Sequence, residues 1–458
     1  MTTTRLAPAP TEADARAGRR AAFGLTPRGL LLLAAGLVFV GPAWIDRRAL
    51  VLLVLWDAFV IGLVLFDLRR LPPPTRLRVS RRWGGPLALG TPTTVVVAVR
   101  NGGSIDIDLR LSDYVSGALR PDPPELAIAV PARGIGRVEY PVTPRERGDA
   151  LMGGVVLQWR GAWGLVERSG IAPLEQTARV FPNLQEGRRE ALYLIRSRQI
   201  SIEKRRARRI GAGREFDNLR DYRPGDERRD VCWSASARRG KLVTKVYQPE
   251  RSQAVWLLVD AGRLLRARIG RQTMLDQTVT AALTLAQVVL ASGDRVGLLA
   301  YGRRVQQRVA PARGAGHLRT LVDALALVHS DGVEADHVTA AATVMAAQKR
   351  RALVVWLTDV ADTAGVPDVI EQALRMSPAH VVLFGVMRQP EIAALAAASP
   401  GSPTDMFRVM AAQETLERRE SLLHGLRQRG ALVLEVSPAE LSSGLVDRYL
   451  EVKERGLL

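Results

Sequence analysis

The sequence is poor in the residues that most enzyme and metal sites require. Its 458 residues include one cysteine, Cys232, so a disulfide framework and a cysteine-based zinc site are excluded. The five histidines show no His-x-x-x-His or His-Glu pairing, and the phosphate-binding pattern Gly-x-x-x-x-Gly-Lys-[Ser/Thr] does not occur. Cys232 has no histidine near it in sequence, and we expect a buried structural thiol. These absences predict a protein that is not an enzyme.

Lysine is also scarce, whereas arginine is abundant. Lys+Arg total 65 against 46 Asp+Glu, which gives a formal net charge of +19, and only five of the 65 are lysines. The mean hydropathy is nevertheless +0.01, although 24% of the residues are charged. A value this high in a charged chain indicates that one segment is very apolar. That segment lies near the N-terminus, after a basic tail at residues 1–28.

Two apolar runs, at residues 29–45 and 49–66, are each near the length needed to cross a membrane. Only Asp46, Arg47 and Arg48 separate them, and no small-residue cleavage site intervenes, so a signal peptide is disfavoured. We predict a transmembrane helical hairpin over residues 29–68, with the lipid bilayer as a partner. The flanks are richer in arginine than the turn, which predicts two cytoplasmic termini at the inner membrane. The flanking arginines are Arg5, Arg16, Arg19, Arg20 and Arg28 before the helices and Arg69, Arg70, Arg76, Arg78, Arg81 and Arg82 after them.

One ionisable residue, Asp57, falls inside the second apolar run. A charge at membrane depth is costly, so such a residue is a functional candidate by default. The alternative is that Asp57 is protonated or paired with the other helix and holds the hairpin together. The sequence favours this second interpretation.

Residues 76–182 read as short strands separated by turns. Alternating apolar runs occur at 93–99, 105–111, 137–142 and 155–159, with Asn101-Gly102-Gly103 among the turns. This spacing predicts a small antiparallel β-sandwich. The segment has no histidine and no clustered carboxylates, so we assign it a spacer or docking role.

Residues 183–250 join a basic linker to a polar segment with an unusual pattern. The linker has no interleaved aromatic residues that would stack on bases, so nucleic acid is an unlikely partner. Its basic residues are Arg188, Arg189, Arg196, Arg198, Lys204, Arg205, Arg206, Arg208, Arg209 and Arg214.

The polar segment alternates opposite charges around a Pro-Gly-Asp turn. We expect it to fold as a buried network of ion pairs with bidentate arginines, serving structure or interaction. Its signature residues are Glu215, Phe216, Arg220, Tyr222, Pro224, Gly225, Asp226, Arg229, Trp233, Ser236 and Arg238.

Residues 251–458 alternate strand and helix patterns. Continuous apolar runs at 254–259, 296–301, 352–357, 380–386 and 431–436 are typical of parallel strands buried on both faces. Helical patterns lie at 273–291, 413–428 and 438–453. This alternation predicts a doubly wound α/β domain with its site at the carboxyl ends of the strands.

The string E-F-x-x-L-R-x-Y-x-P-G-D-x-x-R-x-x-x-W-x-x-S-A-R, which begins at Glu215, resembles the signature of bacterial domain-of-unknown-function family fifty-eight. Arg147-Gly148, Gly164-Leu165 and the helical hairpin also match that family. The resemblance implies a C-terminal half similar to von Willebrand factor A domains. It also implies association with MoxR-type AAA+ ATPases.

Because von Willebrand A domains carry a metal-ion-dependent adhesion site, the resemblance implies such a site here. Its pattern is Asp-x-Ser-x-Ser, a loop Thr and a final Asp. Here Asp260 and Asp359 match the two carboxylates, but Gly262 and Leu264 replace the serines and Ala335 falls near the threonine position. Two carboxylates without hydroxyls make a poor Mg²⁺ site. We expect a degenerate, empty site, with the nearby Arg263 and Arg266 as internal counter-ions and no cofactor.

These inferences predict a membrane-anchored cytoplasmic scaffold or adaptor that acts with a MoxR-type AAA+ ATPase, and with other membrane or envelope proteins, in complex assembly or regulation. The ATPase partnership follows from the resemblance alone. Alternatives are a divalent-metal-dependent protein-binding module, a hydrolase centred on the polar signature, and a nucleic-acid-binding protein.

Overall fold

The computed structural model describes residues 13–17, 22–40, 49–183, 215–224, 226–248, 253–270, 272–359 and 366–458. The chain divides into two units, Met1–Phe181 and Pro182–Leu458. The first unit contains the apolar helices and an extensive β-sheet region, and the second is an α/β unit.

The strands of the first unit form two layers, as the alternating pattern predicts. One sheet has the order β1-β3-β5-β8, and the other has β2-β10-β9-β11-β4, with β6 paired to β9 and β7 to β6. The elements are β1 Ala13–Arg16, β2 Ala22–Leu25, α1 Pro27–Ala35, α2 Ala49–Arg70, β3 Leu77–Trp83, β4 Leu87–Ala88, β5 Thr93–Asn101, β6 Ile107–Val115, β7 Glu125–Val130, β8 Ile135–Val142, β9 Gly148–Arg160, β10 Val166–Ala172 and β11 Gln176–Phe181.

A buried ionic cluster interrupts the apolar core of these sheets. Arg81 and Asp113 are fully buried, and the Arg81 Nε donates to Asp113 Oδ2 at 2.9 Å. The Tyr140 hydroxyl donates to the same carboxylate oxygen at 2.6 Å, and Arg81 also donates to the carbonyl of Leu174 at 2.9 Å. Burial and the neighbouring Asp113 charge raise the pKa of Tyr140. The cluster ties β3 and β8 of one sheet to β6 of the other.

The two apolar helices contact each other closely. The first is helical from Pro27 through Phe39, its last turn being 3₁₀, and residues 41–48 of the predicted hairpin lie outside the described residues. The Trp56 Nε1 donates to the carbonyl of Leu32 at 2.9 Å. A Cβ on Gly36 would lie 2.7 Å from Trp56 Cδ1 and 3.0 Å from Asp57 Oδ1. Asp57 therefore faces the first helix.

The base of these helices is bonded to the sandwich. Asp67 accepts hydrogen bonds from the backbone N–H groups of Leu165 and Val166, at 3.1 and 3.2 Å. The backbone N–H of Thr26 donates to the Leu165 carbonyl at 3.1 Å, and Arg168 donates to the Leu68 carbonyl at 2.7 Å. Both ends of the apolar segment are thus held by one domain.

The N-terminal tail departs from its description as a basic tail of residues 1–28. Within it, β1 pairs antiparallel with β3, and β2 pairs antiparallel with β10, so the tail contributes a strand to each sheet. Main-chain hydrogen bonds hold these four-residue strands. Their side chains show too little alternation of apolar and polar residues for the sequence to predict these two strands.

Within the described residues, two helices are long and apolar enough to cross a membrane. The stretch Leu50–Arg76 has 11% of its apolar window buried, whereas the window of Met274–Ala291 is 72% buried. The second is a core helix of the α/β unit. Length and composition therefore give a weak indication of membrane association, through the first stretch.

The second unit contains a six-stranded sheet of order β18-β17-β14-β19-β20-β21, in which only the pairing of β18 is antiparallel. The predicted parallel strands are confirmed to within two residues. Its described elements are β12 Glu215–Asp221, α3 Trp233–Arg239, β13 Val243–Gln248, β14 Ala254–Asp260, β15 Arg268–Ile269, β16 Gln272–Thr273, α4 Met274–Ala291, β17 Arg295–Tyr301, β18 Val305–Ala312, α5 Ala315–Ala326, α6 His337–Ala347, β19 Leu353–Leu357, α7 Val366–Met376, β20 Val381–Met387, α8 Pro390–Ala396, α9 Pro403–Gln428, β21 Leu432–Val436 and α10 Leu441–Arg455.

Local sequence explains the main core helix. Thr273 caps α4 by accepting from the backbone N–H of Asp276 at 3.1 Å, and Asp276 accepts from the Thr273 N–H at 2.9 Å.

The strand order reverses between β14 and β19, and this is where ligand crevices form in doubly wound sheets.

Candidate functional site

The candidate site lies where β14 and β19 end side by side. Asp260 is the last residue of β14, and Thr358 and Asp359 follow β19 directly. All three side chains are buried. The loop at 331–336 closes over them, because Asp331 N–H donates to the Ala261 carbonyl at 2.7 Å and Arg263 N–H donates to the Val333 carbonyl at 2.9 Å.

Both oxygens of the Asp260 carboxylate have partners. Oδ1 accepts from the backbone N–H of Gly262 at 2.7 Å, and Oδ2 accepts from the Thr358 hydroxyl at 2.6 Å. Burial raises the pKa of Asp260, whereas the nearby His337 and these hydrogen bonds act in the opposite direction. The hydrogen bonds fix the carboxylate in one orientation.

Asp359 is neutralised by an arginine from a distant helix. Arg419, on α9, places Nη1 2.8 Å from Asp359 Oδ1, and Gln389 donates to Oδ2. Arg419 also donates to the Met387 carbonyl and lies 3.6 Å from Glu435. Burial raises the pKa of Asp359, and the Arg419 guanidinium opposes that shift. The buried pair satisfies both charges internally.

The residues present do not fit a Mg²⁺ ion. Positions 262, 264 and 335 offer no hydroxyl, and the Asp359 oxygens are engaged by Arg419 and Gln389. A Cβ at Gly262 would lie 2.9 Å from Ala335 N and 3.1 Å from Ala335 Cβ, so a serine there would require the loop to move. Among the described residues, no group of three His, Cys, Asp or Glu side chains is placed to hold a metal ion.

The expected counter-ions were wrong. Arg263 pairs instead with Glu334 at 3.4 Å on the surface, and Arg266 is exposed. The cation that reaches the site is Arg419, 60 residues beyond Asp359. In sequence it follows Arg418 within a highly charged helix pattern, and nothing there distinguishes the buried arginine from its exposed neighbour.

His337 is a second residue at the site that the sequence pattern did not indicate. It is half-buried at the strand edge, with Nδ1 3.0 Å from the Tyr301 hydroxyl. That hydroxyl accepts from Trp356 Nε1 at 2.6 Å, which leaves its own proton available for donation to His337. Burial lowers the pKa of His337 and raises that of Tyr301. The chain of three rings therefore suits a neutral imidazole.

The polar signature forms a two-stranded ribbon with a short helix. β12 and β13 pair antiparallel, and Asp226 accepts from Arg220 Nη2 at 2.7 Å and from the Arg223 N–H at 3.0 Å. The Tyr222 hydroxyl donates to the Asp226 carbonyl at 3.4 Å. The backbone N–H of Arg223, followed by the Arg220 guanidinium, lowers the pKa of Asp226. Arg220, Tyr222 and Asp226 are therefore brought together.

The expected burial of this ion-pair network was wrong. The Arg220 side chain is 39% exposed, and the pairs Arg229–Glu227 and Lys241–Asp221 lie on the surface. A two-stranded ribbon cannot exclude water from both of its faces. Pro224 and Arg238 are exposed as well.

The helix of the signature contributes one buried polar contact. Ser236 Oγ donates to the Cys232 carbonyl and accepts from the Val243 N–H, both at 2.9 Å, so it fastens α3 to β13. Trp233, another signature residue, is 69% exposed. Cys232 is only partly buried, and a hydrogen bond with Ser234 lowers the pKa of its thiol.

Some predicted residues lie outside the described ones. These are Gly225 and the basic linker from Arg188 to Arg214. Glu215 and Phe216 belong to β12, and only their backbone is described.

The fold and site define a doubly wound α/β unit with a charge-neutralised carboxyl edge, preceded by a β-sandwich-like unit. A family model described as "Protein of unknown function DUF58" matches residues 218–396, which is less than half of the chain. The match includes most of the polar signature, Asp260 and Asp359, and it ends before Arg419.

Relatives are similarly distant. The uncharacterized protein YeaD of Bacillus subtilis is 24% identical over 43% of this chain and 47% of its own length. An uncharacterized protein of Mycobacterium tuberculosis is 26% identical over 32% of this chain and 48% of its own length. The chain thus spans about half the length of the curated relatives it matches.

Solved structures show weaker likeness. The conserved hypothetical protein BatB of Bacteroides thetaiotaomicron is 11% identical over 45% of this chain and 100% of that chain, with a TM-score of 0.30. A CARDB domain from Pyrococcus furiosus, solved with di-metal ions, is 12% identical over 22% of this chain and 83% of that chain, with a TM-score of 0.16. At these TM-scores the likeness supports no inference about this chain.

The geometry predicts that Arg419→Met destabilises the α/β unit. Removing one partner of a buried ion pair leaves Asp359 uncompensated, and this costs about 3–5 kcal/mol. Urea unfolding of the full chain in detergent, followed by pulse proteolysis, measures the loss. The double variant Arg419→Met/Asp359→Asn should recover part of it, because no charge is then stranded.

The matched control is Arg418→Gln. Arg418 is the preceding residue, but its side chain is 49% exposed and pairs with Glu414 on the same helix. Such a pair contributes less than about 1 kcal/mol. Equal losses in Arg418→Gln and Arg419→Met would contradict the assigned role of Arg419.

Proposed function

We propose that the protein is a membrane-anchored cytoplasmic scaffold or adaptor. In this proposal residues 27–70 form a helical hairpin that crosses the inner membrane twice. The α/β unit is a von Willebrand A-like domain that presents its carboxyl edge to a protein partner. The observation that carries the proposal is the Arg419–Asp359 pair. Because Arg419 neutralises Asp359, the carboxyl edge can face a protein partner without a metal ion.

The attachment of both helix ends supports an even number of crossings. β1 and β2 precede α1, β3 follows α2, and β1 pairs directly with β3. The 22 residues of α2 span about 33 Å, compared with a hydrocarbon core of about 30 Å. If α2 crosses, the chain must cross back for its two ends to meet in one domain.

Topology labelling tests the anchor. Arg47→Cys, in the segment that the proposal assigns to the connection between the helices, and Arg145→Cys, on the exposed surface of the sandwich, are each placed in a Cys232→Ser background. A membrane-impermeant maleimide should label Arg47→Cys in intact spheroplasts and Arg145→Cys only after lysis. Labelling of Arg145→Cys before lysis, or recovery of the chain in the soluble fraction, would contradict the proposal.

The partner is proposed to be a MoxR-type AAA+ ATPase, on the strength of the family resemblance. The loop at 331–336 is the exposed part of the carboxyl edge, and it carries Glu334. We expect tagged wild-type protein to copurify with such an ATPase from native membranes and Glu334→Lys to lose it. Lys349→Glu, at the opposite end of β19, should retain the ATPase. Equal recovery with both variants would refute docking at this edge.

A divalent-metal-dependent binding module is the rival function, since Asp260 and Asp359 converge. Because their oxygens already have partners, we expect calorimetric titration of the full chain in detergent to show no saturable Mg²⁺ binding at millimolar concentration. Millimolar or tighter binding that disappears in Asp260→Ala would favour the rival.

A further inference from the structure

Three arginines form a row across the outer face of the sheet β1-β3-β5-β8. The strand register places Arg16 beside Arg78, and Arg78 beside Arg100. All three side chains are exposed. Like charges on directly opposed residues destabilise a sheet. A ligand of opposite charge would offset the repulsion within the row.

The row borders a shallow trough of about 580 Å³ on the same face. Its lining includes the small side chains of Ser80 and Ala98, which are neighbours of the row on β3 and β5. Because these side chains are small, the trough leaves space for a ligand that the neighbouring arginines can contact. The charged residues on this face are five arginines and two carboxylates: Arg16, Arg78, Arg82, Arg100, Arg137, Asp14 and Glu139.

The row lies at the end of the sheet that adjoins the apolar helices. Arg78 is the second residue of β3, which follows α2 after a short turn, and Arg16 ends β1, from which the chain proceeds to α1. At the helix base, the Arg70 guanidinium lies 5.5 Å from the Phe66 ring and 5.9 Å from the Trp163 ring. Trp163 is 44% exposed. Arginine with tryptophan at a helix end is typical of a membrane–water interface.

We propose that Arg16, Arg78 and Arg100 bind the phosphate groups of anionic phospholipids in the leaflet that the hairpin enters. This inference rests on the proposed membrane crossing. Guanidinium groups bind phosphate oxygens in bidentate fashion, and a row of three presents several such pairs side by side. The adjoining hairpin supplies the bilayer at short range, which favours lipid over an acidic protein segment.

The test uses the full chain in neutral detergent. Phosphatidylglycerol and, separately, phosphatidylcholine are titrated, and bound lipids are counted by native mass spectrometry. Wild-type protein should prefer phosphatidylglycerol, and the preference should weaken with salt. Each arginine near an anionic surface contributes about fivefold, so Arg78→Gln/Arg100→Gln should weaken phosphatidylglycerol binding about 25-fold.

The matched control is Arg110→Gln/Arg145→Gln, which removes the same charge elsewhere. Arg110 is on the other sheet, and Arg145 follows β8 at the end away from the helices; both are exposed. This variant should stay within about twofold of wild type, because charges beyond a Debye length of roughly 10 Å are screened.

Equal phosphatidylglycerol affinity in all three proteins would overturn the proposal. Absence of lipid preference, together with tight binding of a poly-glutamate peptide to wild type, would assign the row to an acidic protein segment instead. The topology labelling reports on membrane crossing without using these titrations, so failure of the anchor and failure of the arginine row are distinguishable.

Discussion

The buried pair of Arg419 and Asp359 is the interaction on which the character of the α/β unit depends. Parallel strands bring Asp260 and Asp359 to one edge, where low polarity makes unneutralised charge very costly. A metal ion is one solution to this problem. Here the Arg419 guanidinium, on α9, neutralises Asp359 and also donates to the Met387 carbonyl, while Gln389 donates to the other Asp359 oxygen. The charge state of the edge is therefore a property of the fold and does not vary with ion concentration.

The sandwich uses the same device. Arg81 neutralises Asp113 between two sheets, and its remaining N–H groups donate to main-chain carbonyls. Arginine suits both positions because its planar fork satisfies a carboxylate and carbonyls at once, which an ammonium group does less well. The contrast is Lys453, whose ammonium pairs with the buried Asp294 although the lysine side chain itself is 10% exposed. Part of the arginine excess is therefore structural, because some of these arginines neutralise buried carboxylates.

The architecture could be read from the sequence because it depends on local periodicity. Apolar runs in the second unit become β14, β17, β19, β20 and β21, and alternating runs become the sandwich strands. The site could be predicted only in part. Asp260 and Asp359 were found because they match the carboxylates of the metal-site pattern that the family resemblance implies, whereas Arg419 and His337 reach the edge from elements far away in sequence. With 60 arginines in the chain, charge pattern cannot say which one is buried. Only three-dimensional packing selects it.

The joints at the base of the helices have a consequence for function. Hydrogen bonds of Asp67, Thr26 and Arg168 join the helix ends to the same β9–β10 region. In addition, β1 and β2, which precede the helices in the chain, pair with β3 and β10. A rigid joint of this kind fixes the orientation of the sandwich to the helices. If those helices cross a bilayer, the outer face of the β1-β3-β5-β8 sheet keeps one end toward the head groups at all times. An arginine row at that end then meets phosphate without any conformational change. Binding there would steady the anchor, while at the α/β edge, where Asp359 is neutralised, recognition would fall to the exposed loop at 331–336 and its Glu334.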